Sequence, residues 1–179
     1  IAKLFAKVTG AGNINIDETD AVELSKVSTT SGSFDLTAGG NVVARDVAIT
    51  GAANFDVTGT LTTSAGDSSV TPAVPAGQIA ATDLTIDAVN GVNIKTDVKT
   101  ADVVLSQPGN IVINEANAIT LKNLQTADGD VTVTTAGTMT VANVEANGTT
   151  AKATLTSTAG NIVQDANVTA PAVTAASTV

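Results

Sequence analysis

A short repeat governs what this chain can fold into. Glycines recur at positions 12, 32 and 51 and again at 109, 129 and 148, so the spacing is twenty positions and then nineteen in both sets. Shifting the sequence by twenty positions places apolar residues over apolar residues throughout both sets. The pairs are Ile14–Phe34, Ile16–Leu36, Val22–Val42, Leu24–Ala44, Val27–Val47, Ile111–Val131, Ile113–Val133, Ile119–Met139, Leu121–Val141 and Leu124–Val144. Such a period indicates an architecture in which each unit buries its core only against the next.

A longer repeat contains the short one. Residues 12–47 align with residues 109–144 at an offset of 97, with 12 identities in 36 positions and no gaps. The GNIV sequence of residues 109–112 returns at residues 160–163. We therefore interpret residues 1–179 as a single solenoid segment with super-repeats at 12–108 and 109–179, of which the second is incomplete.

The spacing of apolar residues inside one unit predicts strands. Residues 111 and 113, and then 119 and 121, are apolar at steps of two, which is the period of a β-strand. Asn, Asp and Gly between these segments favour turns. Two short strands and a third apolar contact per unit predict one turn of a parallel β-helix, and the chain length predicts an all-β solenoid of about nine turns.

The longer period also fits a second all-β fold. An immunoglobulin-like β-sandwich has about 100 residues, so two of them in tandem are the alternative. The chain has no Trp and no Tyr, which are the usual aromatic anchors of sandwich cores. A period of about twenty residues does not match the arrangement of strands in a Greek key, so the solenoid is favoured.

The ends of the coil are the expected interaction surfaces. Apolar residues at 1, 4, 5 and 8 have the spacing of a helical face, so this segment is either a short capping helix or, as we favour, a strand of a preceding turn. No capping signal follows the last repeat, which predicts exposed strand edges that pair with another copy or with a continuation of the same chain. Pro72, Pro75 and Pro171 predict loops, because proline cannot donate to a strand ladder.

Composition excludes several classes of function. Without His or Cys, Ser-His-Asp catalysis, Cys-His catalysis and the usual zinc sites are excluded. A net charge of -9 and a single Arg argue against nucleic-acid binding, and no apolar run is long enough to predict a membrane span. We expect no enzyme. The remaining enzymatic alternative is a polysaccharide-processing carboxylate pair, for which Arg45 beside Asp46 is more simply an exposed ion pair.

Acidic groups are the candidate ligand sites. They are Asp17, Glu18, Asp20 and Glu23 in one group and Asp128 and Asp130, which flank Gly129, in the other. Carboxylate and carbonyl oxygens suit calcium, which is the only cofactor these residues suggest. Neither an EF-hand loop nor a glycine-rich calcium nonapeptide is present, and solvated turns explain the same residues.

Two sequons are candidate modification sites. Asn147 and Asn167 each begin an Asn-X-Thr tripeptide, the acceptor of N-glycosylation. A chain this rich in Asn and Thr contains such tripeptides by chance. Their occupancy therefore depends on whether the source organism glycosylates its surface proteins.

Three phrases carry a resemblance to a known family. They are LTAGGNV at residues 36–42, TSAGD at 63–67 and GDVTVTTAGTMTV at 129–141. Over residues 12–66 and 109–163 the chain resembles the filamentous-haemagglutinin-like repeats of giant bacterial surface exoproteins. The resemblance implies a right-handed parallel β-helix, export to the cell surface, and service as an adhesin shaft or extracellular fibre.

The repeat and the resemblance together favour a mechanical function. We expect a structural segment of an extracellular surface fibre or adhesin shaft, secreted or on the surface of a bacterium or archaeon, that assembles by β-strand stacking. The alternative is a pair of β-sandwiches that forms an adhesion module and binds a glycan or a cell-surface partner.

Overall fold

The chain folds as a parallel β-solenoid. We describe it from a computed structural model that covers residues 2–65 and 77–178. Within these residues all regular secondary structure is β-strand, and the strands pair in parallel around a coil of about eight turns. This confirms the predicted β-helix and excludes the tandem sandwiches, whose sheets are antiparallel. The coil has about one turn fewer than expected, because the chain between Leu61 and Val92, which are partners in adjacent layers, is longer than one ordinary turn.

The strands have between 3 and 14 residues, and turn residues separate most of them. In chain order they are β1 (Ala2–Ala11), β2 (Ile14–Glu18), β3 (Val22–Ser31), β4 (Phe34–Ala38), β5 (Val42–Ala44), β6 (Asp46–Ala48), β7 (Ala52–Val57), β8 (Leu61–Thr63), β9 (Gln78–Ala88), β10 (Val92–Leu105), β11 (Ile111–Glu115), β12 (Ile119–Thr126), β13 (Val131–Thr135), β14 (Met139–Ala146), β15 (Lys152–Ser157), β16 (Ile162–Thr169) and β17 (Ala172–Ser177).

The strands stack on two faces of the coil, and the chain visits the faces alternately. Face A consists of β2, β4, β7, the second half of β9, the second half of β10, β12, β14 and β16. Face B consists of β1, β3, β5 with β6, β8 with the first half of β9, the first half of β10, β11, β13, β15 and β17.

The core is a set of apolar columns that run along the coil axis. All ten apolar pairs expected from the shift by one repeat are register partners in adjacent turns. Phe34 and Phe55, both buried, add an edge-to-face contact with ring centroids 5.5 Å apart. Each fully buried side chain of this size contributes about 1.5–3 kcal/mol relative to exposure, so the columns account for the cohesion of the coil.

Corners between strands depend on glycine where the backbone comes close to the turn before it. Gly32 has a φ of 137°, and a Cβ on it would lie 2.0 Å from the carbonyl oxygen of Gly12. Gly32 therefore tolerates no side chain, and the recurrence of glycine once per turn at this corner follows from the stacking itself.

The predicted strand at the start of the chain is confirmed. β1 pairs in parallel with β3 and is not a capping helix. Pro171 lies in the bend between β16 and β17, as expected of a residue without a backbone N–H. Pro72 and Pro75 lie outside the described residues.

Equivalent strands of the two super-repeats lie on opposite faces of the coil. β2 and β11 are equivalent in the super-repeat, yet β2 lies on face A and β11 on face B. The change occurs where β9 and β10 pair in a constant register, from Thr96↔Ile79 to Leu105↔Ala88, with partners seventeen positions apart. Register partners are 31 positions apart from Ala53 to Leu84 and 17 positions apart from Leu84 to Ala101, so the offset of 97 positions between the repeats ends on the opposite face.

Candidate functional site at the open ends of the coil

The last turn leaves the core uncovered. Val173 belongs to an inward column and pairs with fully buried Ala153, but Val173 itself is 51% exposed. Every residue of β17 is exposed. Ile162 and Val168 of β16, which continue the columns of Met139 and Val144, are half-buried. The end of the coil is therefore an apolar surface framed by two strand edges.

The strand edges at this end are open in the described residues. β15 is paired on both sides, with β13 and β17, whereas β17 is paired only with β15. The same holds for β16, which pairs with β14 alone. An open strand edge presents backbone N–H and C=O groups that can pair with another strand.

The first turn forms the opposite end. Leu4, Ala6 and Val8 of β1 are half-buried against the core, and Phe5 points outward and is 54% exposed. In the described residues β1 pairs only with β3. In the described residues, both ends of the coil are therefore open, partly apolar strand edges, and their role as interaction surfaces stays a prediction.

A partly buried ion pair fastens the first turns together. Glu23 is 8% exposed, and its Oε1 and Oε2 lie 2.9 Å and 3.1 Å from Nε and Nη2 of Arg45. The hydrogen bond from Arg45 holds the pKa of Glu23 below its ordinary value, against the opposing effect of burial, and a hydrogen bond from Ser25 adds to the lowering. Arg45 Nη1 also donates to the carbonyl oxygen of Ala65 at 2.6 Å.

This pairing differs from the one suggested by adjacency in sequence. Arg45 is matched with Glu23, while Asp46 lies 3.5 Å from Lys26. Arg45 lies in the break between β5 and β6, and Arg45 and Asp46 each pair with a residue of β3 in the turn before them. The ion pair connects β3 to the following turn, and this contact gives Arg45 a structural role.

A second carboxylate is buried inside the coil. Glu115 is 4% exposed and faces inward from β11. Its oxygens accept hydrogen bonds from the backbone N–H of Val98, at 3.0 Å, and of Asn117, at 2.9 Å. Burial is the dominant effect and raises the pKa of Glu115, although the two backbone donors and the Thr96 hydroxyl oppose it.

Glu115 belongs to a polar inward column. Register pairing places it between Thr96 and Thr135, and the column continues through Ser157 to Ser177 on the last strand. Thr135 donates to the carbonyl oxygen of Asn117, and Ser157 donates to the carbonyl oxygens of Gly137 and Gly160. These hydroxyls hold the corner carbonyls of successive turns.

Of the calcium candidates, Asp17 and Glu18 are the last residues of β2, whereas Asp20, Asp128 and Asp130 lie between strands. Glu18 Oε1 accepts from the backbone N–H of Asp20 at 3.4 Å, and Asp130 Oδ1 accepts from the backbone N–H of Lys152 at 2.8 Å. Asp17 and Asp128 are not buried. Among residues 2–65 and 77–178, no three Asp or Glu side chains gather as they would around a metal ion. Calcium binding stays a prediction without geometric support.

The two sequons differ in their surroundings. The Asn147 side-chain amide donates to the carbonyl oxygen of Thr126 at 2.7 Å, so this nitrogen already has a structural role. Asn167 is exposed on β16, opposite Asn143 in register. Of the two, Asn167 is the more accessible in the folded chain.

Composition and motifs did not reveal that Glu115 is buried inside the coil or that Glu23 pairs with Arg45. Extending the strand alternation of residues 111 and 113 by one more step would have placed Glu115 inside. The Glu23–Arg45 contact spans adjacent turns and depends on the register of the coil.

Comparison of the chain with models of protein families, with curated proteins and with solved structures found no match. In the described part of the chain, no helix has the length and apolar character needed to cross a membrane.

Proposed function

We propose that this chain is a structural segment of an extracellular surface fibre or adhesin shaft, and that it extends by β-strand stacking without catalysis. The supporting observation is the coil itself, in which each described turn adds a layer of parallel strands and a row of buried apolar side chains to the turn before it. An added strand layer gains both apolar burial and backbone hydrogen bonds.

The mechanical role rests on the form of the coil. Layers of strands at a spacing of about 4.8 Å give a rod on the order of 40 Å long for a coil of about eight turns. Each turn contacts only its neighbours, so adding layers lengthens the rod without changing its core. The net charge of -9 keeps such rods dispersed along their sides. The resemblance to haemagglutinin-like exoproteins supports a location outside the cell of a bacterium or archaeon.

Assembly through the open end is testable with one substitution. Val173→Lys places a charge on the uncovered core, and because Val173 is already exposed we expect the isolated coil to fold normally. Wild-type protein should form rods whose length in electron micrographs increases with concentration. The Val173→Lys protein should stay as single coils with an unchanged circular dichroism spectrum.

The matched control is Val112→Lys. Val112 lies at an outward position of β11, in the middle of face B, and is half-buried. This protein should elongate as wild type does. Wild-type protein that remains monomeric at high concentration, or Val173→Lys rods that grow as well as wild type, would contradict the proposal.

A further inference from the structure

One corner in the middle of the coil reverses the residue order of the turns beside it. Val92 pairs with Leu61 in the turn before and with Ile111 in the turn after. The two residues that precede these partners, turn by turn, are Gly59-Thr60, Asn90-Gly91 and Gly109-Asn110. Glycine therefore comes first in the turns on either side and second in the turn between them.

The reversal removes a hydrogen bond that links successive turns at this corner. Asn41 and Asn110, which come second in their turns, each accept a backbone hydrogen bond from the next turn through Oδ1. The donors are the N–H of Thr60, at 2.9 Å, and the N–H of Asp130, at 2.8 Å. Gly91 has no side chain to accept from Asn110, although a Cβ on Gly91 would lie 3.9 Å from the Asn110 backbone nitrogen. The reversed order therefore loses a contact between turns, and stability of the corner does not explain it.

The same reversal creates an Asn-Gly sequence in an open position. The Asn90 side chain is exposed and makes no hydrogen bond among the described residues. In that part of the chain the Gly91 N–H has no backbone acceptor either, and a Cβ on Gly91 would meet no atom closer than 3.5 Å. The Asn90 side chain can therefore turn toward the nitrogen of the next residue, which is the approach that closes a five-membered succinimide ring.

The chain contains a second Asn-Gly sequence, Asn147-Gly148, whose side chain is held by the fold. Asn147 Nδ2 donates to the carbonyl oxygen of Thr126 at 2.7 Å, and the Asn147 backbone N–H donates to Oγ1 of Thr126 at 3.1 Å. The Asn147 side chain has to leave this position before its Cγ can reach the nitrogen of Gly148. Every other Asn precedes a residue with a side chain, which crowds the attacking nitrogen.

We propose that Asn90 is a site of spontaneous covalent modification, at which the side-chain amide is lost through a succinimide. The backbone nitrogen of Gly91 loses its proton and attacks Cγ of Asn90, so that an N–Cγ bond forms. The Cγ–Nδ2 bond breaks, and the nitrogen leaves as ammonia after taking up a proton. Solvent water then opens the ring at either carbonyl and leaves aspartate or isoaspartate.

Both products change the corner. Each adds one carboxylate, and isoaspartate also lengthens the main chain by one atom. This occurs next to backbone hydrogen bonds to both neighbouring turns, from Leu61 N to Gly91 O and from Val92 N to Asn110 O, each 3.0 Å long. The proposal is independent of fibre assembly, because it concerns a corner inside a single coil.

Peptide mapping of the whole chain tests the proposal. Wild-type protein is kept at mildly alkaline pH, either folded or in concentrated urea, and is then digested. Mass spectrometry with fragmentation locates each deamidated Asn and gives its rate. In the folded chain we expect Asn90 to deamidate about tenfold faster than Asn147, or more, because the fold holds only Asn147 away from the attacking nitrogen. In urea the bonds to Thr126 are lost, so the two rates should become similar.

Two variants test the role of Gly91. Gly91 lies outside the left-handed region of φ and has room for a Cβ, so Gly91→Ala should fold as wild type does. We expect it to slow deamidation of Asn90 about tenfold, because the added methyl group crowds the attacking nitrogen. The matched control exchanges the two residues, Asn90→Gly with Gly91→Asn, and leaves composition and charge unchanged. It restores the order of the neighbouring turns and places Val92 after the Asn, so deamidation at this corner should fall to the level of the other Asn residues.

Circular dichroism checks that both variants keep the fold. Equal rates at Asn90 and Asn147 in the folded chain would overturn the proposal, because the fold would then not distinguish the two sites. A rate at Asn90 that neither variant lowers would also overturn it, because the loss of the amide would not depend on the nitrogen of residue 91.

Discussion

At the scale of single residues, the surroundings of two glutamates, Glu23 and Glu115, shift their pKa values in opposite directions. Glu23 and Glu115 both have little exposed surface. Glu23 faces a guanidinium that favours its ionised form, and Glu115 faces backbone N–H and hydroxyl groups inside the coil. The pKa of Glu23 is lowered and the pKa of Glu115 is raised. These two groups therefore contribute to stability at opposite ends of the acidic range.

Glu115 should make stability fall as pH rises. Because burial raises its pKa, the folded chain binds this proton more tightly than the unfolded chain, and that contribution is lost as pH rises through the raised pKa. Glu115→Gln keeps the size of the side chain and removes the titration. We expect the free energy of unfolding of wild type minus that of the variant to decrease between about pH 4 and about pH 7. Urea unfolding across this range measures it, and a constant or increasing difference would contradict the assignment.

The Glu23–Arg45 pair should act as a unit. Arg45→Met leaves the Glu23 carboxylate largely buried without its guanidinium, and we expect a loss of about 2 kcal/mol in the free energy of unfolding near neutral pH. The stability due to Glu23 is present above its ordinary pKa and is lost as pH falls through the lowered pKa, so the cost should shrink in acid.

The control for this pair is the more exposed pair beside it. Lys26→Met removes the partner of Asp46, and we expect a change of no more than about 0.5 kcal/mol. A double variant, Glu23→Gln with Arg45→Met, should lose less than the sum of its single changes. Equal effects of Arg45→Met and Lys26→Met in chemical denaturation would show that the Glu23 pair is solvated.

At the scale of strands and turns, the short distance between adjacent layers restricts which residue types can occupy the corners. Asn13, Asn41 and Asn110 each place a side-chain oxygen 2.8–3.0 Å from a backbone N–H one turn later. Glycine occupies corner positions where the backbone of the adjacent turn is so close that a Cβ would overlap it. Asn and Gly at these positions are therefore explained by contacts between turns as much as by the local preference for turns.

Gly32→Ala should test this closeness. Its φ of 137° is unfavourable for alanine, and the added Cβ would overlap the carbonyl oxygen of Gly12. We expect a loss of about 2 kcal/mol or more, measured by thermal or urea unfolding. Gly10→Ala is the control, because no atom lies within 4 Å of the added Cβ, and its effect should stay within about 0.5 kcal/mol. Similar stability of the two variants would mean that the corner can open at little cost.

At the scale of the whole molecule, assembly should respond to salt. Each chain carries a net charge of -9, so copies repel one another before their ends meet. Raising sodium chloride from about 20 mM to about 200 mM shortens the screening length from roughly 20 Å to roughly 7 Å. We expect the lowest concentration at which fibres form to decrease over this range, as measured by light scattering. Val173→Lys should remain monomeric at every salt concentration, and fibre formation that weakens with salt would contradict charge repulsion as the barrier.

The sequence determined the fold of a single turn and the contents of the core. The ten apolar pairs could be read from a shift by one repeat because register partners in a solenoid are separated by one turn of chain. The strand nature of β1 followed less directly, since a spacing of apolar residues at 1, 4, 5 and 8 also fits a helix. Pairing with β3 decided it, because the side chains of Leu4, Ala6 and Val8 all reach the core from an extended strand.

Only the tertiary structure decided which face each repeat occupies. The offset between the two super-repeats measures distance along the chain, whereas the face of a strand depends on how much chain each intervening turn consumes. The long turn from Ala53 to Leu84 and the shorter turn from Leu84 to Ala101 together make the offset of 97 positions end half a turn round the coil. The contacts of Arg45 and the environment of Glu115 were decided in the same way, since both depend on atoms brought together by adjacent turns and not by neighbours in sequence.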